Sequence, residues 1–226
     1  MLLLSNDLAT PTTRKIRIAL DGQPFPYRAG QAAGIGRHGE PATTYSIASA
    51  PSDTDRDGYL EFLIKVDGSN RFGALVSALE PGIRLDVTPA GGRFGIPDAA
   101  YGRPLLFIAG GTGIAPLRSM IREYLHRSQE PRPALVYSAG TPEEFAYGDE
   151  LRALADAGKL DLTLTLTGDA QDWRHARGRT GDRHLAALAT PKTVCFICGP
   201  PSMVTDVPEA LTRLGIPRNQ IVTEDW

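Results

Sequence analysis

The run Phe107-Ile108-Ala109-Gly110-Gly111-Thr112-Gly113-Ile114-Ala115-Pro116 constrains this chain more than any other. An apolar strand-like stretch ends in glycines and a threonine, and a helical pattern over Ala115–His126 begins at once. Pro116 falls near the first helical turn, where its missing N–H costs little. Such a turn lets free backbone N–H groups and the positive end of a helix approach an anion closely. The segments around it keep the same alternation. Leu105–Ala109, Ala134–Ser138, Leu160–Leu166, Val194–Ile197 and Gln220–Val222 read as strands, with helices near Glu150–Ala157, His184–Leu188 and Met203–Leu214. Alternating strands and helices predict a doubly wound parallel α/β sheet.

Before about Pro97 the rhythm differs. Short alternating runs at Arg14–Leu20, Thr43–Ala48, Tyr59–Val66 and Ile83–Thr88 are separated by Asp21-Gly22, Asp57-Gly58, Asp67-Gly68 and Gly91-Gly92. This spacing predicts an antiparallel β-barrel. Arg71–Leu79 stands apart, with Phe72, Leu75, Val76 and Leu79 on a helical face before Pro81-Gly82. The boundary falls near residues 98–103, giving a two-domain chain divided at 1–100 and 101–226. A length of 226 residues accommodates two compact units of roughly 100 residues each.

Two further segments carry chemistry. Cys198-Gly199-Pro200-Pro201-Ser202-Met203 is again a strand running into a small-residue turn and a helix. Ligands of open α/β sheets lie beyond the carboxyl ends of the strands, so this turn and Gly110–Gly113 are expected to share one crevice. In the first half, Tyr45-Ser46-Ile47-Ala48-Ser49 is a β-strand with two hydroxyls. Taken singly, each segment also suits a plain structural role: a tight βα turn, a small buried thiol, a packed strand.

Composition removes several classes. A net charge of -2 gives no basic surface for gripping nucleic acid. No apolar run approaches the roughly 18–20 residues needed to cross a bilayer. Met1-Leu2-Leu3-Leu4 stops at Ser5-Asn6-Asp7 and reads as the start of a strand, not an export signal, so a cytoplasmic location is expected. Cys195 and Cys198 are the only cysteines. Residues three apart on a strand point to opposite faces, which argues against a disulfide or a shared metal ion. Two cysteines are also too few for an iron–sulfur cluster, so any such centre belongs to another protein. His38, His126, His175 and His184 show no ligand-like spacing, and no metal is assigned.

Taken together and in order, these segments resemble the ferredoxin–NADP reductase family over nearly the whole chain. The family's Arg-x-Tyr-Ser flavin signature is met by Tyr45-Ser46, and its following strand by Leu63-Ile64-Lys65-Val66. Its nicotinamide domain is met by Gly110–Pro116, Cys198–Met203 and the terminal Glu224-Asp225-Trp226. The resemblance implies an FAD-binding β-barrel domain followed by an NAD(P)-binding α/β domain. It implies that Tyr45 packs on the isoalloxazine ring and that Ser46 hydrogen-bonds near flavin N5. Thr43, Ile47, Ile64, Lys65, Val66 and the helix start Arg71-Phe72-Gly73-Ala74 would complete the flavin site. Thr112 and Cys198 would flank the nicotinamide, in turns formed by Gly111, Gly113, Gly199, Pro200 and Met203. Ser46, Cys198 and Glu224 are the catalytic candidates, Glu224 for proton handling or nicotinamide stabilisation. Trp226 would cover the flavin's other face, or is a frayed terminus without that role.

Two positions depart from the pattern. Thr43 stands where the family has an arginine for the flavin phosphate, and Gly73 where it has a serine. FAD is favoured, with FMN as the alternative, and weaker retention is expected; Arg37, His38 or Arg71 would compensate. For the coenzyme, Thr167-Gly168-Asp169 replaces the Ser-Arg typical of NADPH-preferring members. An acidic residue suits free ribose hydroxyls, which favours NADH, although Arg174, Arg177 and Arg179 lie nearby and NADPH stays open. The implied activity is flavin-dependent NAD(P)H oxidoreduction, with electrons passing to or from a separate acceptor such as a ferredoxin or an oxygenase component. The alternatives are a non-catalytic or regulatory flavin-binding module and an obligate electron-transfer subunit.

Overall fold

The computed structural model describes residues 1–66, 71–128 and 130–225. The expected Asp67-Gly68 turn and Trp226 lie outside them, as does the side chain of Arg71. The first half holds six strands: β1 (Leu3–Thr10), β2 (Thr13–Ala19), β3 (Ala32–Arg37), β4 (Thr43–Ser46), β5 (Tyr59–Lys65) and β6 (Leu85–Val87). They form two antiparallel three-stranded sheets, β1-β2-β5 and β4-β3-β6. Isolated bridges between Ile47 and Phe62 and between Leu2 and Arg84 link the two sheets at their edges. This is the expected antiparallel barrel.

Its interior follows the alternation of the strands. Ile16, Ile18, Ile35, Leu60, Phe62, Ile64 and Phe72 are buried together inside it. Strand β5 also buries its opposite face. Glu61 and Leu63 are 2% and 4% exposed because the second half of the chain covers them. A helix α1 (Pro51–Asp57) joins β4 to β5, and α2 (Arg71–Val76) follows β5. Helix α2 is the one expected from Arg71–Leu79, three residues shorter at its C-terminal end.

The second half is a six-stranded parallel sheet. Its strands are β7 (Leu105–Gly110), β8 (Ala134–Ala139), β9 (Asp161–Leu166), β10 (Ala176–Arg177), β11 (Val194–Gly199) and β12 (Ile221–Asp225). They lie in the order β10-β9-β8-β7-β11-β12. Helices α3 (Ile114–Arg127), α4 (Gly148–Asp156), α5 (Asp182–Leu185) and α6 (Pro201–Arg213) connect them. The order reverses between β7 and β11, which puts the topological switch point at the ends of the two glycine-bearing strands.

Cys195 and Cys198 are fully buried, in no disulfide, and on opposite sides of this sheet. Cys195 packs with Leu106, Ile108 and Ile197 under α6, and burial pushes its thiol up to about 12. Cys198 joins the core that also holds Ala48 and Leu63 of the barrel. Helix α3 is wedged between that barrel and the sheet. Ile114, Leu117, Met120 and Ile121 are inaccessible, and even Arg118 and Ser119 are buried.

Candidate functional site

The two small-residue turns touch each other through their backbones. A Cβ placed on Gly113 would lie 2.1 Å from the carbonyl oxygen of Cys198 and 2.8 Å from the nitrogen of Gly199. A Cβ on Gly110 would meet Pro200 at 2.7 Å, and one on Gly199 would meet Met203 Sδ at the same distance. These glycines are required by close approach. Gly111 differs: its φ is +54° and its Cβ position is open. The buried Tyr137 donates its hydroxyl to the Gly111 carbonyl at 3.1 Å from the next strand, which fixes the turn. Burial raises the Tyr137 pKa, so the hydroxyl stays a donor.

Helices α3 and α6 start directly behind these turns and are 14 and 13 residues long, so the positive ends of both helix dipoles face the switch point. In front of them is a cleft of about 590 Å³, lined from the barrel by Thr44, Tyr45, Ser46, Leu63 and Lys65. Its other wall is Gly110–Gly113, Ala115 and Gly199–Pro201. A neighbouring pocket of about 660 Å³ shares Gly110, Gly111 and Pro200 with it. That pocket continues over the ends of β8 and β9 along Ser138–Gly140 and Thr167, and meets Glu144, Arg179, Thr180, Met203 and Asp206.

Of the candidate residues, Tyr45, Ser46, Lys65, Gly111, Thr112, Gly113, Gly199 and Pro200 meet in the first cleft, and Met203 lines the second. The Tyr45 ring rests against Phe72 with centroids 5.9 Å apart. Ser46 is 6% exposed. Cys198 lies in the core beneath the turns, and Glu224 of β12 is its partner in the parallel register. Ile47, Ile64 and Phe72 belong to the barrel interior, where they support the cleft wall without lining it. Thr43 is half-buried opposite Ile35, while Gly73 is buried and Ala74 exposed on α2. Val66 follows β5 at the edge of the barrel core. His38 pairs with Asp86 at 3.2 Å. Sequence reasoning passed over Thr44, Leu63 and Ser138, and it named Thr167 only as part of the coenzyme-selecting segment Thr167-Gly168-Asp169. Ser138 and Thr167 stand at the carboxyl ends of their strands, and that position was the available signal.

A charged network joins the two halves behind the cleft. Arg118 on α3 donates to the Ala48 carbonyl at 2.8 Å, and it contacts Glu61 at 3.1 Å and Glu150 at 2.8 Å. Its guanidinium also stacks 4.3 Å from the centroid of the Tyr147 ring. Arg122 reaches Asp53 and Glu150. Burial pushes Asp53 upward, but the hydrogen bond and charge of Arg122 outweigh it, so its pKa lies below the usual carboxylate value.

An antiparallel barrel backed on a doubly wound sheet, with a shared cleft at the switch point, defines a two-domain dinucleotide-dependent oxidoreductase. Residues 107–209 match the family described as oxidoreductase NAD-binding domain. Ferredoxin–NADP reductase B of Sorangium cellulosum is 33% identical over 218 residues, covering 91% of this chain and 88% of that protein. Reductase component 2 of a terephthalate 1,2-dioxygenase from Comamonas is 30% identical, over 94% of this chain and 63% of the relative. Among solved structures, a ferredoxin–NADP reductase from Neisseria gonorrhoeae superposes with a TM-score of 0.83 at 24% identity, over 99% of this chain and 96% of that one. The chain belongs to the ferredoxin–NADP reductase family and is an NAD(P)H-dependent flavin oxidoreductase.

Proposed function

We propose that residues 1–100 bind FAD, that residues 101–226 bind NADH, and that the chain passes electrons onward to a separate ferredoxin or oxygenase component. The observation that carries this reading is the continuity of the two pockets. The pocket beside Tyr45 and Ser46 adjoins the one beside Thr167 and Arg179, and the two share Gly110, Gly111 and Pro200 as lining. In this reading the rings lie at the barrel end and the phosphate-bearing tail over the sheet.

The residues present fit these groups. Tyr45, backed by Phe72, offers a ring face to a planar heterocycle. The Ser46 hydroxyl lines the cleft and would donate to flavin N5. Gly111 leaves its Cβ position open, so a pyrophosphate can approach the backbone N–H groups where α3 begins. A flavin held there would supply the redox chemistry, linking two-electron oxidation of nicotinamide to reduction of an acceptor. The protein's part is orientation and exclusion of water. Thr112 and Gly113 hold one side of the cleft, and Leu63 and Ala115 close it with apolar surface. Glu224, in register with Cys198, is the carboxylate this reading assigns to proton handling at the nicotinamide.

Support for NADH comes from Glu144 and Asp206, two carboxylates lining the second pocket beside the single guanidinium of Arg179. A 2′-phosphate there meets like charge. Asp169 is exposed and is not among the residues lining that pocket, whereas Arg177 is engaged with the Trp173 carbonyl at 3.1 Å. In the Neisseria structure FAD and NADP are bound, and the Comamonas relative is a dioxygenase reductase component. The chain spans 63% of that relative's length, so the acceptor is a partner assigned by this reading alone.

The absorbance spectrum of purified protein, supplied with FAD and then anaerobically with NADH or NADPH, tests the reading. Flavin bands should appear, with FAD held loosely for want of an arginine at Thr43, and NADH should bleach them faster than NADPH. Failure to gain a flavin spectrum with excess FAD or FMN overturns the flavin assignment. Faster reduction by NADPH overturns the coenzyme assignment alone.

A further inference from the structure

Arg118 and Ser119 are charged and polar side chains on a helix that is otherwise apolar where it is buried, and neither lines the cleft. Both reach across to the barrel, and both end on backbone carbonyls. Arg118 donates to Ala48 at 2.8 Å, and Ser119 Oγ donates to Ser49 at 2.7 Å. Those carbonyls follow Ser46 by two and three residues on the same extended segment. Helix α3, in turn, begins one residue after Gly113. Each contact therefore ties a point just beyond Ser46 to a point nearly two turns beyond Thr112.

The tie is stiff at both ends. Ser49 is 2% exposed, and its carbonyl also accepts from the Tyr27 hydroxyl at 3.0 Å. Its own hydroxyl accepts from the Glu61 backbone at 3.1 Å. Arg118 is held by Glu61 and Glu150 and against the Tyr147 ring, so its fork has little freedom. Tyr147 needs a left-handed backbone, with φ 60°, to present that ring. A non-glycine residue adopts this conformation only where the surroundings impose it.

We propose that Arg118 and Ser119 are positioning residues for hydride transfer, setting the separation between the Tyr45–Ser46 wall of the cleft and the Gly111–Gly113 wall. The inference rests on the flavin and nicotinamide assignment of that cleft. Transfer between two bound rings is steep in distance, and a displacement of roughly 1 Å costs about 100-fold in rate. Arg122 is the internal comparison. It sits one turn further along α3 and joins the same charged network through Asp53 and Glu150, but no bond from it to the Ser46 segment is seen.

The test uses Arg118→Met, Arg118→Lys, Ser119→Ala and Arg122→Met, each with two readouts. In flavin-free protein, amide hydrogen exchange over residues 45–50 should rise about tenfold in Arg118→Met and Ser119→Ala and stay near wild type in Arg122→Met. After loading with FAD, anaerobic stopped flow at saturating NADH should show a limiting reduction rate at least about tenfold lower in the first two variants. The NADH Kd should stay within about threefold, and Arg118→Lys should recover part of the rate. Arg118→Met strands the buried Glu61 and is prone to misfold; Ser119→Ala removes one hydroxyl and carries the test alone in that case. The proposal is overturned if Ser119→Ala leaves exchange and limiting rate unchanged. It is equally overturned if Arg122→Met reproduces every effect of Arg118→Met, since the network then acts through stability only. Wild-type protein that NADH and NADPH both fail to reduce would refute the cleft assignment, while the exchange readout still reports whether the Ser46 segment is gripped.

Discussion

Replacing Gly113 by alanine tests the contact on which the site is built. The added Cβ would lie 2.1 Å from the Cys198 carbonyl oxygen and 2.5 Å from its carbon, both backbone atoms with no flexible end to swing away. Ordinary contact begins at 3.4 Å, so turn and strand end must part by about 1.3 Å, the difference between 3.4 and 2.1 Å. Overpacking of a tight interior costs about 1–3 kcal/mol, and backbone on both sides puts Gly113→Ala at the upper part of that range. A separation of that size between the two turns also shifts the nicotinamide wall, which lowers the limiting rate of flavin reduction about 100-fold. Gly111→Ala is the contrast. Its Cβ enters open space, so its intrinsic cost is the left-handed φ, about 1–2 kcal/mol. It intrudes where a dinucleotide would lie, so it should raise KM for NADH more than it lowers kcat. Urea unfolding of the flavin-free proteins and anaerobic stopped flow of the loaded ones measure both effects. If Gly113→Ala unfolds at the wild-type midpoint and reduces at the wild-type rate, the two turns do not pack as described and the reasoning fails.

Two further outcomes are expected. Ser46→Ala removes a buried hydroxyl from the cleft; a hydrogen bond to a charge-developing group is worth about 1.5–3 kcal/mol, so the limiting rate of flavin reduction should fall about ten- to hundredfold with little change in NADH Kd. For Asp53, the folded pKa lies below the unfolded value of 3.8, so its ion pair with Arg122 stabilises the protein above that value and is lost as pH falls through the folded pKa. Urea midpoints measured from pH 6 down to pH 3 should therefore decline more steeply for wild type than for Asp53→Asn, and parallel curves would show that Arg122 does not hold this carboxylate.

The strand–turn–helix runs of the second half were legible because their chemistry is local. A buried strand in a parallel sheet is a short apolar run, and glycine marks the turn that follows it. Strand β3 was not legible. Ala32-Ala33-Gly34-Ile35-Gly36-Arg37 shows no alternation, because Gly34 and Gly36 sit where Cβ atoms would meet Thr88, Ala42 and Pro41 at 3.0–3.2 Å. Small residues are required there by the chain returning at Pro41–Ala42 and by Thr88, which no local pattern reveals. Helix α1 escaped for a different reason. Pro51-Ser52-Asp53-Thr54-Asp55-Arg56-Asp57 has no apolar face, and Tyr27 holds Thr54 while Arg122 holds Asp53. On the site, Tyr45, Ser46 and Gly111–Gly113 could be named from sequence because the groups that line the cleft are contiguous. Ser138 and Asp206 could not, since they come to one pocket from separate elements, β8 and α6.

The charges that sequence patterning assigns to solvent prove to be the joint between the halves. Glu61 occupies an alternate position on β5, which in an isolated barrel would face water. Here α3 covers it, and it is 2% exposed. A carboxylate buried in this way is tolerable only with a matched cation, and Arg17 and Arg118 approach it from the two halves at 2.8 and 3.1 Å. An apolar contact of the same area would hold the domains together more strongly, but it would tolerate sliding. A fork of directed hydrogen bonds ending on the Ala48 carbonyl does not, because a displacement of 1 Å breaks it. The polar joint thus gives up stability that an apolar one would provide and returns a fixed register between Ser46 and Thr112. A reaction that depends on the distance between two bound rings needs that register more than it needs the stability.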